Sequence, residues 1–133
     1  MENEFVPYEI ALELKELGFD EPCFGYYTGD KKHLQLRPNM GRMNEPSDDV
    51  PTAPTFSQVF KWFSNVYNLF PEIYTTTVGG YVEFTFQIRD LYSEKYIYDN
   101  FVANTDGYSG TFHTIEDTEI SCLDKLIEIV KSK

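Results

Sequence analysis

Cys23, His33, His113 and Cys122 carry all the thiol and imidazole groups of this 133-residue chain. Thiolate and imidazole together make a zinc site, and a thiolate beside an imidazole makes a nucleophile with its base. Both chemistries depend on spacing. Structural zinc sites pair their ligands a few residues apart, and no C-x-x-C or H-x-x-x-H pair occurs here. Cys122 falls on the apolar side of a helical pattern, where a thiolate is disfavoured, and His113 stands about two turns before it. The four residues therefore read as buried free thiols and surface imidazoles. The expectation is no metal, no cofactor and no catalytic residue.

Carboxylates are plentiful, but their places explain them. Glu116, Asp117 and Glu119 open a helix, where acids complement the dipole. Gly79-Gly80 is a turn pair, and the glycines at 107 and 110 lack the Lys-Ser/Thr that follows a phosphate loop. Lys31, Lys32, His33, Arg37 and Arg42 form the one basic cluster and border a proline-rich loop. That loop, closing over the sheet edge with His33 and Arg37 or Arg42 engaging an anion, makes a small-molecule binder or small enzyme one alternative reading. Tyr81, Tyr92, Tyr96 and Tyr98 could stack nucleic-acid bases or anchor a protein interface.

Charge decides between those two. The net charge is −11, with seven acids and one lysine in residues 1–22 and nine acids and four lysines in residues 90–133. A phosphate backbone or anionic lipid would be repelled, so the partner is expected to be a protein. Acidic ends also raise a second alternative, a nucleic-acid mimic whose binding weakens steeply with salt. Met1-Glu2-Asn3-Glu4 is acidic where a secretion signal is basic, and no apolar run is long enough for a membrane span. The expectation is a cytoplasmic protein.

The elements that position these residues follow from periodicity. The length suits a single domain over 1–133, and an aromatic content of 17% argues for a packed core rather than disorder. Residues 55–67 predict the central helix, lying across a sheet. Thr55 is placed as its N-cap, with Gln58 three residues on as in a capping box. Phe56, Val59, Phe60, Phe63, Val66 and Tyr67 form its apolar side, with Trp62 at the rim. Pro7 to Leu17 predicts a first helix ending at Gly18. Cys23–Thr28 and His33–Leu36 read as a hairpin. Residues 37–54, with Pro38, Pro46, Pro51 and Pro54, read as a loop. Leu69-Phe70-Pro71 reads as a turn.

Ile73–Val78 and Tyr81–Arg89 read as strands about Gly79-Gly80. Along the second, Val82, Phe84, Phe86 and Ile88 face the core, and Tyr81, Glu83, Thr85, Gln87 and Arg89 face the wetter side. Tyr96–Val102 is a third strand. Thr114 caps a last helix, Ile115–Val130. The fold class expected is α+β, with an antiparallel sheet of about four or five strands and three helices mainly on one face.

Four blocks are familiar together. They are Phe5-Val6-Pro7-Tyr8-Glu9-Ile10-Ala11-Leu12, Leu17-Gly18-Phe19-Asp20-Glu21-Pro22-Cys23, the run from Ala53 through Pro54-Thr55-Phe56 to Trp62-Phe63, and Cys122-Leu123-Asp124-Lys125-Leu126-Ile127-Glu128-Ile129-Val130. They lie at both ends and the centre of the chain and make up about a quarter of it. The chain resembles a group of small uncharacterised proteins of phages and prophages of Bacteroides-type gut bacteria. The resemblance implies a phage or mobile-element setting and a host-cell cytoplasm. That group has no assigned activity, so it implies no catalytic residue. The reading that results is a non-enzymatic accessory protein that binds a host or phage protein. A homodimer through an open sheet edge is compatible with it.

Overall fold

The computed structural model describes residues 4–27, 33–36, 51–90, 96–104 and 110–132. Among them the class is α+β, with four helices and two three-stranded antiparallel sheets. The chain divides into two compact units, 1–59 and 60–133, which are described in turn.

In the first unit, α1 (Tyr8–Glu16) buries Ile10, Ala11 and Leu14. It stops where the sequence predicts. Gly18 takes φ +99°, Phe19 N–H donates to Leu14 O at 2.9 Å and Gly18 N–H to Lys15 O at 3.1 Å. These two bonds form a Schellman motif, whose left-handed residue glycine takes without a Cβ penalty. β1 (Gly25–Tyr27) pairs antiparallel with β2 (Leu34–Gln35), the predicted hairpin, and on its other side with β3 (Thr52–Ala53).

β3 was not expected. Residues 51–54 fall in the predicted loop, yet all four are buried. The pairing of Gly25 with Ala53 explains this, because two residues without bulk let the strands close. The rest of that predicted loop, 37–50, lies outside the described residues. Val6 N–H donates to Pro54 O at 2.9 Å, and the Tyr27 hydroxyl donates to Val6 O. Tyr8 meets Tyr27 edge-on at 5.5 Å.

The boundary between the units falls within α2 (Phe56–Tyr67). Thr55 caps it as predicted, its Oγ1 accepting from Gln58 N–H at 3.2 Å. The Gln58 side chain does not complete the capping box; its Nε2 donates to Pro22 O at 3.0 Å. The buried arc also differs from the predicted one. Phe56, Val59, Trp62 and Phe63 are buried, Phe60 is half-buried and Val66 is 52% exposed. Trp62 and Val66 lie close in angle around the helix, yet in the last turn it is Tyr67 that packs, its ring 5.4 Å from Trp62 and 5.9 Å from Phe63.

Asn68 (φ 57°) ends α2 in the left-handed conformation that Asn tolerates, and the chain enters β4 (Leu69–Val78) at once. The predicted turn at Leu69-Phe70-Pro71 is thus the start of a strand. Proline fits because β4 has, among the described residues, a partner strand on one side only, and an edge strand tolerates a residue without an N–H. β4 and β5 (Tyr81–Asp90) pair without a break from Leu69↔Asp90 to Val78↔Tyr81. Gly79 (φ 58°) and Gly80 (φ 84°) form the connection, both left-handed as a type I′ turn requires.

β6 (Tyr96–Asp99) pairs with the far end of β5, from Gln87↔Asp99 to Arg89↔Tyr96. It ends at Asp99 rather than continuing to Val102. The Asp99 carboxylate accepts from the N–H of Phe101 and Val102 and starts a single helical turn, α3 (Asn100–Ala103). Thr114 caps α4 (Ile115–Lys131), accepting from Asp117 N–H at 3.1 Å. α4 lies against β4 and β5 and buries Thr118, Cys122, Leu123, Leu126 and Ile127.

Among the described residues the single four- or five-stranded sheet of the sequence reading is therefore two sheets of three, and the three helices are four. Alternating patterns identify strands but carry no information on which strands share a sheet. The α+β class itself stands.

Candidate functional site

The side chains of chemical interest gather in the second unit, around β5, β6 and α4. Tyr98 leaves β6 beside Ile88 of β5, and its ring lies 5.8 Å from that of Phe86. Its hydroxyl donates to Asn100 Oδ1 at 2.8 Å. Asn100 is buried and works in both directions. Its Oδ1 also accepts from Asn104 Nδ2 at 3.2 Å, and its Nδ2 donates to Gly110 O at 3.2 Å. Gly110 O takes a second bond from Thr85 Oγ1 at 2.7 Å. A Cβ on Gly110 would stand 2.9 Å from Asn100 O, so this approach needs glycine. One helical turn, one strand and one turn of chain are thereby tied to a single amide.

Above this network is a cleft of about 210 Å³. Phe86, Tyr98 and Asn100 form its inner wall. Ser121, Asp124, Lys125 and Glu128 of α4 form the outer one. Residues three, four and seven apart share a helix face, which is why these four line it together. The Lys125 ammonium sits 4.3 Å over the Tyr98 ring and 3.1 Å from Glu128 Oε1.

β5 does not alternate as the sequence predicts. Glu83 and Thr85, assigned to the wet side, are buried, and Val82, assigned to the core, is 68% exposed. Residues after 110 explain the first difference. Phe84 and Phe112 exchange both backbone hydrogen bonds, at 2.9 and 2.8 Å, so this segment runs alongside β5 beyond the end of β6. Thr85 is satisfied there by Gly110 O. Glu83 Oε2 lies 2.9 Å from His113 Nδ1, outside hydrogen-bond alignment. Val82 is exposed because it stands at the hairpin end, next to Tyr81, which is 74% exposed. Ile115, three residues after Phe112 at the start of α4, is also exposed.

Of the residues singled out from the sequence, the structure places Tyr98 in the cleft and Tyr81 at the hairpin end. Tyr96 opens β6. His33 is an exposed residue preceding β2, in the first unit. Tyr92, Arg37 and Arg42 lie outside the described residues, as do Lys31 and Lys32. Asn100, Lys125 and Glu128 were not anticipated. A signal for Asn100 was present in Asp99-Asn100, a capping pair after a strand. Nothing in sequence linked Lys125 to Tyr98, 27 positions away.

Both cysteines are buried free thiols, as predicted. Burial pushes the Cys23 thiol up to about 11, assisted by the Glu21 charge and opposed by hydrogen bonding with Thr52 and Gln58. Cys122 is raised further by burial, with the Glu119 charge adding to it. The Glu119 carboxyl is itself raised, by partial burial and then by Glu116. Among the described residues no group of three or more His, Cys, Asp and Glu is placed to hold a metal ion, and no helix is long and apolar enough to cross a membrane. Comparison with protein families, curated proteins and solved structures finds no match for this chain.

Proposed function

We propose that this chain is a non-enzymatic accessory protein, encoded by a phage or prophage, that binds a protein of its host cell through the end of the β4–β5 hairpin. The observation that carries this is the exposure of two adjacent large apolar residues, Tyr81 and Val82, on an unbroken ladder closed by a type I′ turn. Single exposed apolar residues are ordinary surface. Two on a rigid projection, one of them the tyrosine that interfaces favour, are an anchor whose ordering cost has already been met by folding.

Consecutive strand residues point to opposite faces, so a partner that buries both must take the hairpin end into a groove. The charges nearby define that groove's rim. Glu116 and Asp117 are exposed in the first turn of α4, directly after Ile115. A groove with an apolar floor and a basic rim is the complement. Two further features support the reading. Both thiols are held protonated above neutral pH, which removes the nucleophile that the sequence offered. The resemblance to phage proteins of Bacteroides-type hosts supports a host-cell partner.

The test is affinity capture from lysate of such a host, with wild type and a Tyr81→Ser/Val82→Ser variant side by side. The expected result is one host protein that survives a high-salt wash on wild type and is absent from the variant. Equal retention by both, or turnover of a substrate by the pure protein, overturns the proposal.

A further inference from the structure

The outer edge of β4 is a surface distinct from the hairpin end. We infer that it pairs with the same edge of a second copy of this chain, antiparallel about a two-fold axis at Thr75. Backbone direction decides which groups are on offer. In an antiparallel strand the N–H and C=O of one residue lie on the same side, and the side changes with each residue. Phe84 spends both groups on Phe112, at 2.9 and 2.8 Å, so they point away from β4. Its partner across the ladder is Thr75, whose own N–H and C=O therefore point away from β5. By alternation the same holds for Ile73 and Thr77, and for Pro71, which has no N–H to offer.

That edge lacks the usual guards. Natural edge strands are short, bulged, charged or covered. β4 runs for 10 residues, pairs with β5 without a bulge and contains no lysine or arginine. Thr75 and Thr77 are exposed, and among the described residues no strand lies on their side of β4. Ile73 to Val78 are all β-branched or aromatic, the residues that strands favour. Such an edge is a template for a further strand.

Its bounds say which strand. The outward donors stop at Pro71 on one side and at the turn of Gly79 on the other, and Thr75 lies midway between the two. Pairing about Thr75 sets Thr75 against Thr75 of the other copy, and Ile73 against Thr77 on either side, in roughly six backbone hydrogen bonds. Each Pro71 then falls opposite the other copy's turn, where no ladder bond is missed. Sliding the copies two residues either way draws Pro71 or Gly79 into the ladder and breaks it. Glu72, the one charge on β4, falls opposite Val78 rather than a second Glu72. A foreign strand has no need of these equal bounds, and only self-pairing uses them. The two three-stranded sheets join as one, with the hairpin ends about 30 Å apart at its opposite ends. Tyr81 and Val82 stand on β5, one strand away from the joint, so the joint forms whether or not they hold a partner.

The experiment is analytical ultracentrifugation of the full chain from about 1 μM to about 1 mM, with amide exchange by NMR at both ends of that range. A monomer–dimer equilibrium is expected, with the amides of Ile73, Thr75 and Thr77 exchanging at least about tenfold more slowly at the high concentration. The amides of Tyr74, Thr76 and Val78 face β5 and should be protected throughout. Thr75→Lys sets like charges against each other on the axis and should weaken dimerisation at least about tenfold, with protection at Tyr74 and Thr76 retained because the hairpin still folds. Thr75→Ser should leave dimerisation unchanged. Both copies carry a net charge of −11, so dimerisation should strengthen from about 50 to about 300 mM salt. A monomer at about 1 mM, a dimer whose Ile73, Thr75 and Thr77 amides still exchange freely, a dimer that a folded Thr75→Lys leaves intact, or one that salt dissociates overturns the inference. The first of these leaves the edge to a strand of another protein.

Discussion

Replacing Asn100 with alanine tests how the second unit is held together. The amide accepts from the Tyr98 hydroxyl at 2.8 Å and from Asn104 Nδ2 at 3.2 Å, and donates to Gly110 O at 3.2 Å. Alanine removes all three. Their consequences are unequal. Asn104 Nδ2 keeps the Asn100 backbone oxygen at 2.8 Å, and Gly110 O keeps Thr85 Oγ1 at 2.7 Å. The Tyr98 hydroxyl loses its acceptor but lies at a cleft that water enters. Two net hydrogen bonds at about 1 kcal/mol each, plus a small void, give a cost of about 2–3 kcal/mol. At about 4 °C per kcal/mol this lowers Tm by roughly 8–12 °C.

The shared acceptor makes a sharper test. Thr85→Val leaves Gly110 O with Asn100, and Asn100→Ala leaves it with Thr85. The double variant strands a buried carbonyl. Its cost should exceed the sum of the singles by about 0.5–1.5 kcal/mol. Urea denaturation of the four proteins measures this directly. Additivity within about 0.3 kcal/mol, or an Asn100→Ala cost below about 0.5 kcal/mol, refutes the shared-acceptor argument.

Phe63→Ala should cost about 3–5 kcal/mol and Phe60→Ala clearly less, since Phe63 is fully buried and Phe60 only half-buried; equal costs in denaturant unfolding would return the buried arc of α2 to the one its periodicity predicts. Thr114→Ala removes the α4 cap and should cost about 1 kcal/mol, with the loss visible as faster amide exchange in the first turn of α4. Iodoacetamide should label neither thiol at pH 8 until the protein is unfolded, and labelling of the native protein at that pH would contradict the burial. Folding holds Cys23 protonated to about 11 against an ordinary value of 9.0. Its contribution to stability is therefore whole below pH 9 and lost between pH 9 and 11, and pH-dependent denaturation should show a smaller loss over that range in Cys23→Ser than in wild type, the remainder coming from Cys122.

Local punctuation was legible in the sequence. Gly18, Thr55, Gly79-Gly80 and Thr114 each end or begin an element where their conformational preferences dictate. Those preferences act within a few residues and owe little to the rest of the chain. Long-range pairing was not legible. Pro71 marks a turn by local rules, and only the edge position of β4 makes it a strand residue. Glu83 and Thr85 look solvated by alternation, and only the return of residues 110–113 buries them. The same limit hid the cleft. Tyr98 was visible as a candidate, whereas Lys125 meets its ring only because α4 packs on β5. The hairpin end was half legible: Tyr81 was named, and Val82 was assigned to a core that stops short of it.

The proposed grip of a partner on the hairpin end can be tested by crosslinking. The most direct measurement places a photo-crosslinking amino acid at Tyr81 and, in a separate protein, at Glu9, an exposed position on α1 in the first unit. Both are irradiated in lysate of a Bacteroides-type host. One dominant adduct from position 81, formed at low and high salt, is expected, and none from position 9. Adducts from both positions alike, or from position 9 alone, would contradict it.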